Sequence, residues 1–131
     1  MKTNKSYRFR LYPTTDQAIF IDKTIGSARF IYNRMLSDKI EHYRETKTAL
    51  KTNPAQYKPE FEWLREVDSM ALCYSWNNLQ VAYNNFFRRP EVGFPHFKPK
   101  HKSKWAYSTI SKAQVVYDRH VKLPKLGMVR A

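Results

Sequence analysis

Apolar and polar positions alternate near the start of the chain. Over Tyr7–Tyr12, apolar side chains are separated by arginines, which predicts a half-buried β-strand. One face carries Tyr7, Phe9 and Leu11, and the other carries Arg8 and Arg10. Pro13 ends the pattern, because proline has no N–H to donate to a neighbouring strand.

The chain then changes to a helical period. Thr14 with Gln17 three residues later makes a capping-box sequence, and the apolar positions that follow recur at steps of three and four. These positions are Ala18, Ile21, Ile25, Ala28, Tyr32 and Met35, with a continuation through Ile40 and Tyr43. The spacing predicts one long helix, followed by a polar, proline-containing connector over residues 46–59.

A second helical region is predicted from Glu60, with a break around Asp68. Beyond the break, apolar positions again recur at steps of four and three, which indicates a helix that ends before Pro90. Those positions are Leu72, Trp76, Leu79, Tyr83 and Phe86.

From Glu91 onward the helical period is lost and strands are favoured. We predict strands over 106–110, 114–117 and 120–123, a turn at Asp118 and Arg119, and a last extended segment at Met128 and Val129. The predicted fold class is α+β, in which the first strand joins the C-terminal strands and the helices form an inserted lobe. We expect the sheet to be incomplete at the C-terminus, with an unpaired apolar edge near Ala131.

Charge changes this picture most between Phe94 and Trp105, where lysines alternate with aromatic, histidine and proline positions and no acid occurs. Over residues 91–131 there are nine basic side chains and two acids, a net charge of +7 out of the +13 of the chain. Lysines neutralise phosphates and release counterions, and aromatic rings stack on unpaired bases. We interpret the segment as a nucleic-acid surface; the alternative is a loop whose lysines only maintain solubility.

Composition sets further limits. A chain of 131 residues with 42% apolar residues suits one domain, or two small lobes that share one core. Cys73 is the single cysteine, which excludes an intramolecular disulfide and a multi-cysteine zinc site. The charged N-terminus is unlike a signal peptide, and no stretch approaches the roughly 20 apolar residues of a membrane span. We therefore expect a cytoplasmic protein with no membrane partner, since Pro95 and Pro99 also disfavour an amphipathic surface helix.

The sequence offers little for catalysis. Its eleven acids lie mostly on predicted helices among basic neighbours, where such side chains usually form solvated faces or ion pairs. Glu62, Glu66 and Asp68 are spaced to share a metal, but nothing obvious supplies the remaining ligands. Cys73 fits a packed thiol, and the three glycines form no phosphate-binding loop. We expect no catalytic residue, metal or cofactor in this chain.

Five short motifs occur in the order and spacing of a known family. They are RFRLYPTTDQ at 8–17, IGSARFIYN at 25–33, LQVAYNNFFR at 79–88, FPHFKPK at 94–100 and KLPKLG at 122–127. Together they extend over essentially the whole chain, which resembles the N-terminal region of the OrfB/TnpB proteins encoded by bacterial and archaeal insertion sequences.

The resemblance implies a fold and a function. Full-length members resemble RNA-guided DNA endonucleases, in which a wedge-type β-barrel interrupted by a helical recognition lobe precedes a RuvC-like nuclease domain with a zinc ribbon. By this resemblance, residues 1–13 are the first barrel strand, 14–90 the helical recognition lobe, and 91–131 the basic loop and remaining barrel strands. The chain is then expected to lack the nuclease domain and zinc ribbon and not to be an enzyme by itself. Its expected partners are guide RNA and the DNA that flanks the target.

Candidate nucleic-acid contacts come from three sources. Phosphate contacts are expected from basic side chains of the first strand and of the Lys-rich segment, namely Arg8, Arg10, Lys98, Lys100, Lys102 and Lys104. Trp105 is a candidate for base stacking. On the first helix, Arg29 faces nucleic acid or pairs with a helix acid, and Asn33 bonds a base edge or neighbouring backbone.

The resemblance adds the region that contacts the flanking DNA motif. It implies contacts from the helix that begins near Ser69 and from the region around Thr109 and Ser111. Ser69 and Cys73 have short side chains, unlike the longer polar residues that base recognition favours.

A second hypothesis is a small DNA-binding regulator of the helix-turn-helix type, which represses its own element or competes with full-length copies. The connector over 46–59 is far longer than the ~3–4-residue turn of that motif, so a wedge barrel with inserted helices explains the flanking strands better. A third hypothesis is a decayed gene product that folds poorly.

Overall fold

Two helices and a small antiparallel sheet form the protein. Its structure, a computed structural model, describes residues 2–102, 105–111 and 115–131. The helices are α1 (Thr15–Thr46) and α2 (Ser69–Arg88), and short 3-10 turns occur at Pro54–Tyr57, Glu62–Glu66 and Pro90–Val92. The strands are β1 (Val116–Tyr117), β2 (His120–Leu123) and β3 (Gly127–Arg130), in the order β1-β2-β3. The class is therefore α+β, as the sequence predicts.

The predicted capping box starts α1. The Gln17 N–H donates to Thr14 Oγ1 at 3.2 Å, and the Thr14 N–H donates to Gln17 Oε1 at 2.9 Å, so two N–H groups at the helix start are satisfied reciprocally. The helix continues for 32 residues to Thr46. The next residue, Lys47, caps it with a left-handed backbone (φ 58°) that lets its N–H donate to the Tyr43 carbonyl. Local sequence signals thus account for the start of α1.

The connector after α1 runs back along that helix rather than turning directly into α2. Three contacts mark its course: the Tyr57 hydroxyl donates to Asp38 at 2.8 Å, the Phe61 ring meets the Phe30 ring at 4.9 Å, and Glu66 forms an ion pair with Lys23. The residue numbers increase along the connector, while those of the contacted residues on α1 decrease. The chain therefore returns to the N-terminal half of α1 before α2 begins.

Asp68 starts α2, at the break that the sequence predicts. Its Oδ1 accepts a hydrogen bond from the Met70 N–H at 3.0 Å, which is an N-cap contact. Near the start of α2, Ala71 shares a cleft with Ile25 of α1. Closer to its end, the Tyr83 ring lies 5.4 Å from Lys39 Nζ. The two helices therefore run in the same direction, which is why a long connector is needed between them.

The core lies between α1, α2 and the connector. Each fully buried aliphatic side chain contributes roughly 1.5–3 kcal/mol relative to an exposed one. The fully buried members of this cluster are Ile31, Met35, Leu36, Leu64, Val67, Leu72 and Leu79. Two elements and the connector thus share one core.

The sheet docks against the helical part through a few polar contacts. Val121 and Val129 pair across β2 and β3 and are both buried. Gln17 Nε2 donates to the Met128 carbonyl at 2.8 Å, and Lys125 Nζ donates to the Arg65 carbonyl at 2.8 Å. The start of α1 and the end of the connector therefore position the sheet.

The predicted strand over Tyr7–Tyr12 does not form. Residues 2–11 have no regular secondary structure, and only Tyr12 forms a bridge, with its N–H donating to the Arg130 carbonyl at 2.7 Å. A strand needs a partner along its length and a face to bury, but Tyr7 and Phe9 remain 74% and 49% exposed. The prediction that the N-terminal segment meets the C-terminal strands holds at this single bridge.

The predicted strand over 106–110 is also absent, because this segment contacts the helices instead of pairing with a strand. The strand predicted over 114–117 is present at Val116–Tyr117, and Gln114 lies outside the described residues. The turn at Asp118 and Arg119 and the strand over 120–123 are confirmed. In the described ranges the sheet is open and has three strands, so the predicted barrel is not seen as a closed structure.

Neither α1 nor α2 contains a stretch that is apolar and long enough to cross a lipid bilayer.

Candidate nucleic-acid interface

The Lys-rich segment starts on an aromatic cluster at the end of α2. The Phe94 ring packs edge-on against Tyr83 and Phe86, at centroid distances of 5.4 and 5.3 Å. Gly93 precedes it with φ of 90°, a backbone conformation that strains residues with a Cβ. This turn sends the chain back over the helices. We call residues 94–102 and 105–109 the basic strap.

Asn33 fixes the first part of the basic strap to α1. Its Oδ1 accepts a hydrogen bond from the Lys98 N–H at 2.7 Å, and its Nδ2 donates to the Lys98 carbonyl at 3.0 Å. Both polar atoms of the Asn33 side-chain amide thus form hydrogen bonds with the backbone of a residue 65 positions later in the chain. The sequence left a base edge or neighbouring backbone open as the partner of Asn33; the structure has instead the backbone of Lys98, which is distant in the chain.

Two acids fix the second part of the basic strap. The Trp105 indole N–H donates to Asp22 Oδ1 at 3.0 Å, and the Thr109 hydroxyl donates to Asp68 Oδ2. Lys98 lies at Asn33 and Trp105 at Asp22, so the strap runs along α1 from its middle toward its N-terminus. Side chains that sequence analysis assigned to nucleic-acid contact therefore also hold the strap in place.

Lys98 is half-buried between the strap and the helices. Its Nζ lies 4.3 Å from the centroid of the Tyr32 ring, within the range of a cation–π contact. Desolvation by burial lowers the pKa of Lys98 below its usual range and raises the pKa of the Tyr32 hydroxyl. The charged form of Lys98 is thus incompletely compensated in this position.

Arg29 lies one helical turn before Asn33 and lines a cleft of about 220 Å³ between the strap and the two helices. Its Nε is buried and has no hydrogen-bond partner in the described part of the chain. The lining residues include no Asp or Glu: they are Ile25, Ala28, Arg29, Ala71, Tyr74, Ser75, Asn78, Lys98, Trp105, Ala106, Tyr107 and Ser108. Two cations and several neutral polar groups therefore face a common space.

The other strap lysines lie toward solvent. Lys100 and Lys102 are exposed, and Lys102 also lines a shallow groove with His96 and Phe97. Lys104 lies outside the described residues. The strap therefore has an inner cation, Lys98, and outer cations that are accessible to a polyanion.

The N-terminal arginines are exposed and belong to a different part of the molecule. Arg10 Cζ lies 6.0 Å from the centroid of the Tyr12 ring, and Arg130 Cζ lies 5.8 Å from the same ring. Arg8 is exposed in the same segment, and Ser111 is exposed beyond Thr109. The structure thus brings Arg29, Asn33, Lys98 and Trp105 to one site, and places Arg10 beside the end of β3.

Sequence reasoning missed Asp22, Asn78 and Arg130 as members of these sites. A signal for Asp22 exists in the sequence: Asp22, Arg29 and Asn33 are spaced by seven and four, so they share one face of a helix with 3.6 residues per turn. That polar stripe lies beside the apolar stripe that predicts α1. Asn78 and Arg130 have no comparable signal, because their neighbours at the sites come from distant parts of the chain.

The described residues contain no group of three or more histidine, cysteine or acidic side chains that could hold a metal. Glu66, one of the acids considered for a metal, instead pairs with Lys23, and Asp68 caps α2.

The N-terminal part of the chain matches a known protein family. Residues 1–48 match the family model of the OrfB/IS605 helix-turn-helix domain. Within residues 2–48 of this chain, however, the structure has a single helix without an internal turn.

Three relatives are similar to the chain. It is 33% identical to the virulence protein VsdF of Salmonella dublin, over 70% of this chain and 89% of that protein. It is 28% identical to a Streptomyces pristinaespiralis protein provisionally named an RNA-guided DNA endonuclease, over 79% of this chain and 27% of that protein. It is 29% identical to InsQ of Escherichia coli K12, which has the same provisional name, over 99% of this chain and 34% of that protein.

The chain thus spans most of one relative and about a third or less of the two named as endonucleases. The family model and the two relatives named as endonucleases agree with the five motifs, and the chain belongs to the OrfB/TnpB family, whose N-terminal region it matches.

Proposed function

We propose that this chain is a nucleic-acid-binding part of a TnpB-like, RNA-guided DNA endonuclease, and that it binds guide RNA and target-flanking DNA without cleaving them. The observation that carries the proposal is the basic strap. Its outer lysines are exposed, while Asn33, Asp22 and Asp68 hold its course along the helices. A cationic surface that is ordered before binding loses less conformational entropy when the polyanion arrives.

The strap combines the two features that single-stranded nucleic acid requires. Lys100 and Lys102 provide exposed positive charge, and Trp105 provides an aromatic ring that is 45% exposed. Cations follow the sugar–phosphate backbone, and an exposed ring stacks on an unpaired base irrespective of its identity. Guide RNA, with its unpaired segments, matches this surface better than a regular duplex does.

The division of the chain follows from the same proposal. We assign residues 14–90 to a helical recognition lobe, and residues 1–13 and 91–131 to the strand and loop parts of a wedge-type barrel. The bridge between Tyr12 and Arg130 and the bond from Gln17 to the Met128 carbonyl support this assignment. In both contacts, the segment before α1 and its first turn meet the last strand.

The acids of the described chain support binding rather than cleavage. Asp22 accepts a bond from Trp105, Asp38 accepts one from Tyr57, and Asp68 caps α2 and accepts one from Thr109. Each of these three carboxylates therefore has a structural partner. In this proposal, cleavage belongs to the segment that the longer relatives have in addition, and the chain acts in the cytoplasm.

Contact with the flanking DNA motif is proposed for the start of α2. Thr109 bonds to Asp68, which immediately precedes Ser69, so the positions implied by the family resemblance are neighbours in space. Ser111 is exposed close to them in the chain. Their side chains are short, so we expect backbone and phosphate contacts here rather than bidentate base contacts.

The similarity to VsdF favours a second candidate function. That protein is not much longer than the matched region, because the match over 107 residues covers 89% of its length. As the alternative, we propose that this chain is a regulator that binds duplex DNA of its own element. The two functions differ in the preferred ligand.

A salt titration of binding separates them. The purified chain is titrated against RNA from the end of its element, an unrelated RNA of equal length, and duplex DNA. We expect a preference for the element RNA that persists at ~200 mM salt, where purely electrostatic binding has weakened steeply. Preference for duplex DNA would support the regulator, and an absence of binding at low salt would refute both.

A further inference from the structure

We propose that the cleft between the basic strap and the two helices holds one nucleotide of a single-stranded nucleic acid, with its phosphate between Arg29 and Lys98 and its base against Trp105. This inference rests on the proposed nucleic-acid binding and adds a defined site to it. The cleft is a built space: α1, α2 and the strap each contribute to its lining, and the strap wall is fixed by Asn33 and Asp22.

The charge of the cleft calls for an anion. Arg29 and Lys98 both line it, and none of the described residues in its lining is acidic. Arg29 Nε is buried without a hydrogen-bond partner among the described residues, and an unsatisfied buried donor is unfavourable, more so when it is charged. A phosphate oxygen would accept that hydrogen bond and neutralise the guanidinium.

Lys98 supports the same ligand from the other side. Its side chain is half-buried, and its contact in the described structure is the face of Tyr32 rather than a carboxylate. Burial lowers its pKa, so the charged ammonium is poorly compensated by the protein alone. A phosphate beside Lys98 Nζ would stabilise the charged form.

The remaining lining suits a base. The Trp105 indole is half-exposed and is oriented by its bond to Asp22, so its ring is presented in a fixed direction. Ser75 and Asn78 on α2 add neutral donors and acceptors that can bond to a base edge.

The volume also limits the ligand. At about 220 Å³, the cleft is smaller than the ~300 Å³ at which pockets for drug-sized molecules begin. It therefore encloses no more than one unpaired nucleotide and excludes a duplex. Arg29 and Lys98 line this small cleft, whereas the exposed charge of Lys100 would attract any polyanion.

The test compares two arginine variants with the same loss of charge on the same helix. Arg29→Gln removes the cleft guanidinium, and Arg44→Gln removes an exposed guanidinium near the end of α1. The ligands are a labelled oligouridylate of about 15 nucleotides and a mixed-sequence DNA duplex of the same length. We expect Arg29→Gln to weaken oligouridylate binding by about tenfold or more, and Arg44→Gln to change it by about twofold or less.

Two further variants keep the test independent of folding. Arg29→Lys retains the charge but not the Nε donor, and Lys98→Met removes the second cation while keeping an unbranched side chain of similar length. Both should weaken oligouridylate binding more than Arg44→Gln does, with helical circular dichroism unchanged. Duplex binding should fall equally for Arg29→Gln and Arg44→Gln, because the duplex senses only net charge.

The outcomes distinguish this site from the function on which it rests. If the unaltered chain binds oligouridylate but Arg29→Gln and Arg44→Gln weaken binding equally, the cleft site is refuted and general nucleic-acid binding stands. The cleft site is also refuted if Arg29→Gln weakens duplex binding as strongly as oligouridylate binding. If the unaltered chain binds neither ligand at low salt, the proposed function itself fails.

Discussion

Lys98 shows at the scale of one residue how the fold creates a site from an ordinary lysine. Its backbone is bonded on both sides to Asn33, so its side chain must start close to the face of Tyr32. In the sequence nothing separates Lys98 from Lys100, since both occur in the same alternating pattern. The difference between an inner and an outer cation depends on Asn33, 65 residues earlier, and such a long-range contact leaves no local signal.

The ionisation of Lys98 gives a prediction at this scale. Desolvation disfavours the charged ammonium, so its pKa in the free protein should lie below the ordinary value of 10.5. Binding of oligouridylate should move the pKa upward again, because a phosphate favours the charged form. NMR of ¹³C-methylated lysines, assigned with Lys98→Met, measures both values, and the urea-unfolded chain provides the reference. A Lys98 pKa that does not change on binding would mean that no phosphate approaches it.

At the scale of elements, both helices form as predicted, and two of the predicted strands do not form. The capping box at Thr14, the break at Asp68 and the helical periods specify α1 and α2 through contacts within a few residues. The alternation over Tyr7–Tyr12 is an equally clear pattern, but a strand also needs an edge to pair with, and β3 offers it only one bridge. The 106–110 segment contacts the helices instead, through the bond from Thr109 to Asp68.

The length of the connector indicated how the two helices are arranged. Because α1 and α2 run in the same direction, the chain must travel back along α1, which a short turn cannot do. The connector over 46–59 thus agrees with two separate helices rather than with a compact helix-turn-helix. The polar stripe of Asp22, Arg29 and Asn33 on α1 was available in the sequence and would have indicated where the strap lies.

Asn33 provides the prediction at the scale of elements. Asn33→Ala leaves the Lys98 N–H and carbonyl without their partners and frees the strap from α1. Loss of such a bond should speed hydrogen exchange of the Lys98 amide by about tenfold or more, while amides in the core of α2 remain protected. Oligouridylate affinity should fall several-fold, since the strap must then be ordered on binding.

The control for this variant is Asn77→Ala, which truncates an exposed asparagine on α2. It should change neither the exchange rate at Lys98 nor the affinity. An Asn33→Ala protein with unchanged exchange at Lys98 would show that the bonds to Asn33 do not hold the strap.

At the scale of the whole molecule, positive charge and fixed structure coincide on one side of the helix pair. The basic strap begins on the aromatic cluster at the end of α2 and continues to the start of that helix at Asp68. The composition alone indicated a polyanion partner, and the motifs indicated the family. The surface and its inner cleft emerged only when the strap, α1 and α2 were brought together.

The most direct test of this account is a lysine footprint. The chain is acetylated briefly, with and without saturating oligouridylate of about 15 nucleotides, and modified lysines are quantified by mass spectrometry. We predict that Lys98, Lys100 and Lys102 lose reactivity in the complex. Lys47, which is exposed at the C-terminal end of α1, should react equally in both samples. Protection of Lys47 to the same degree, or strap lysines that stay reactive while the RNA is bound, would contradict the claim that the basic strap is the nucleic-acid interface.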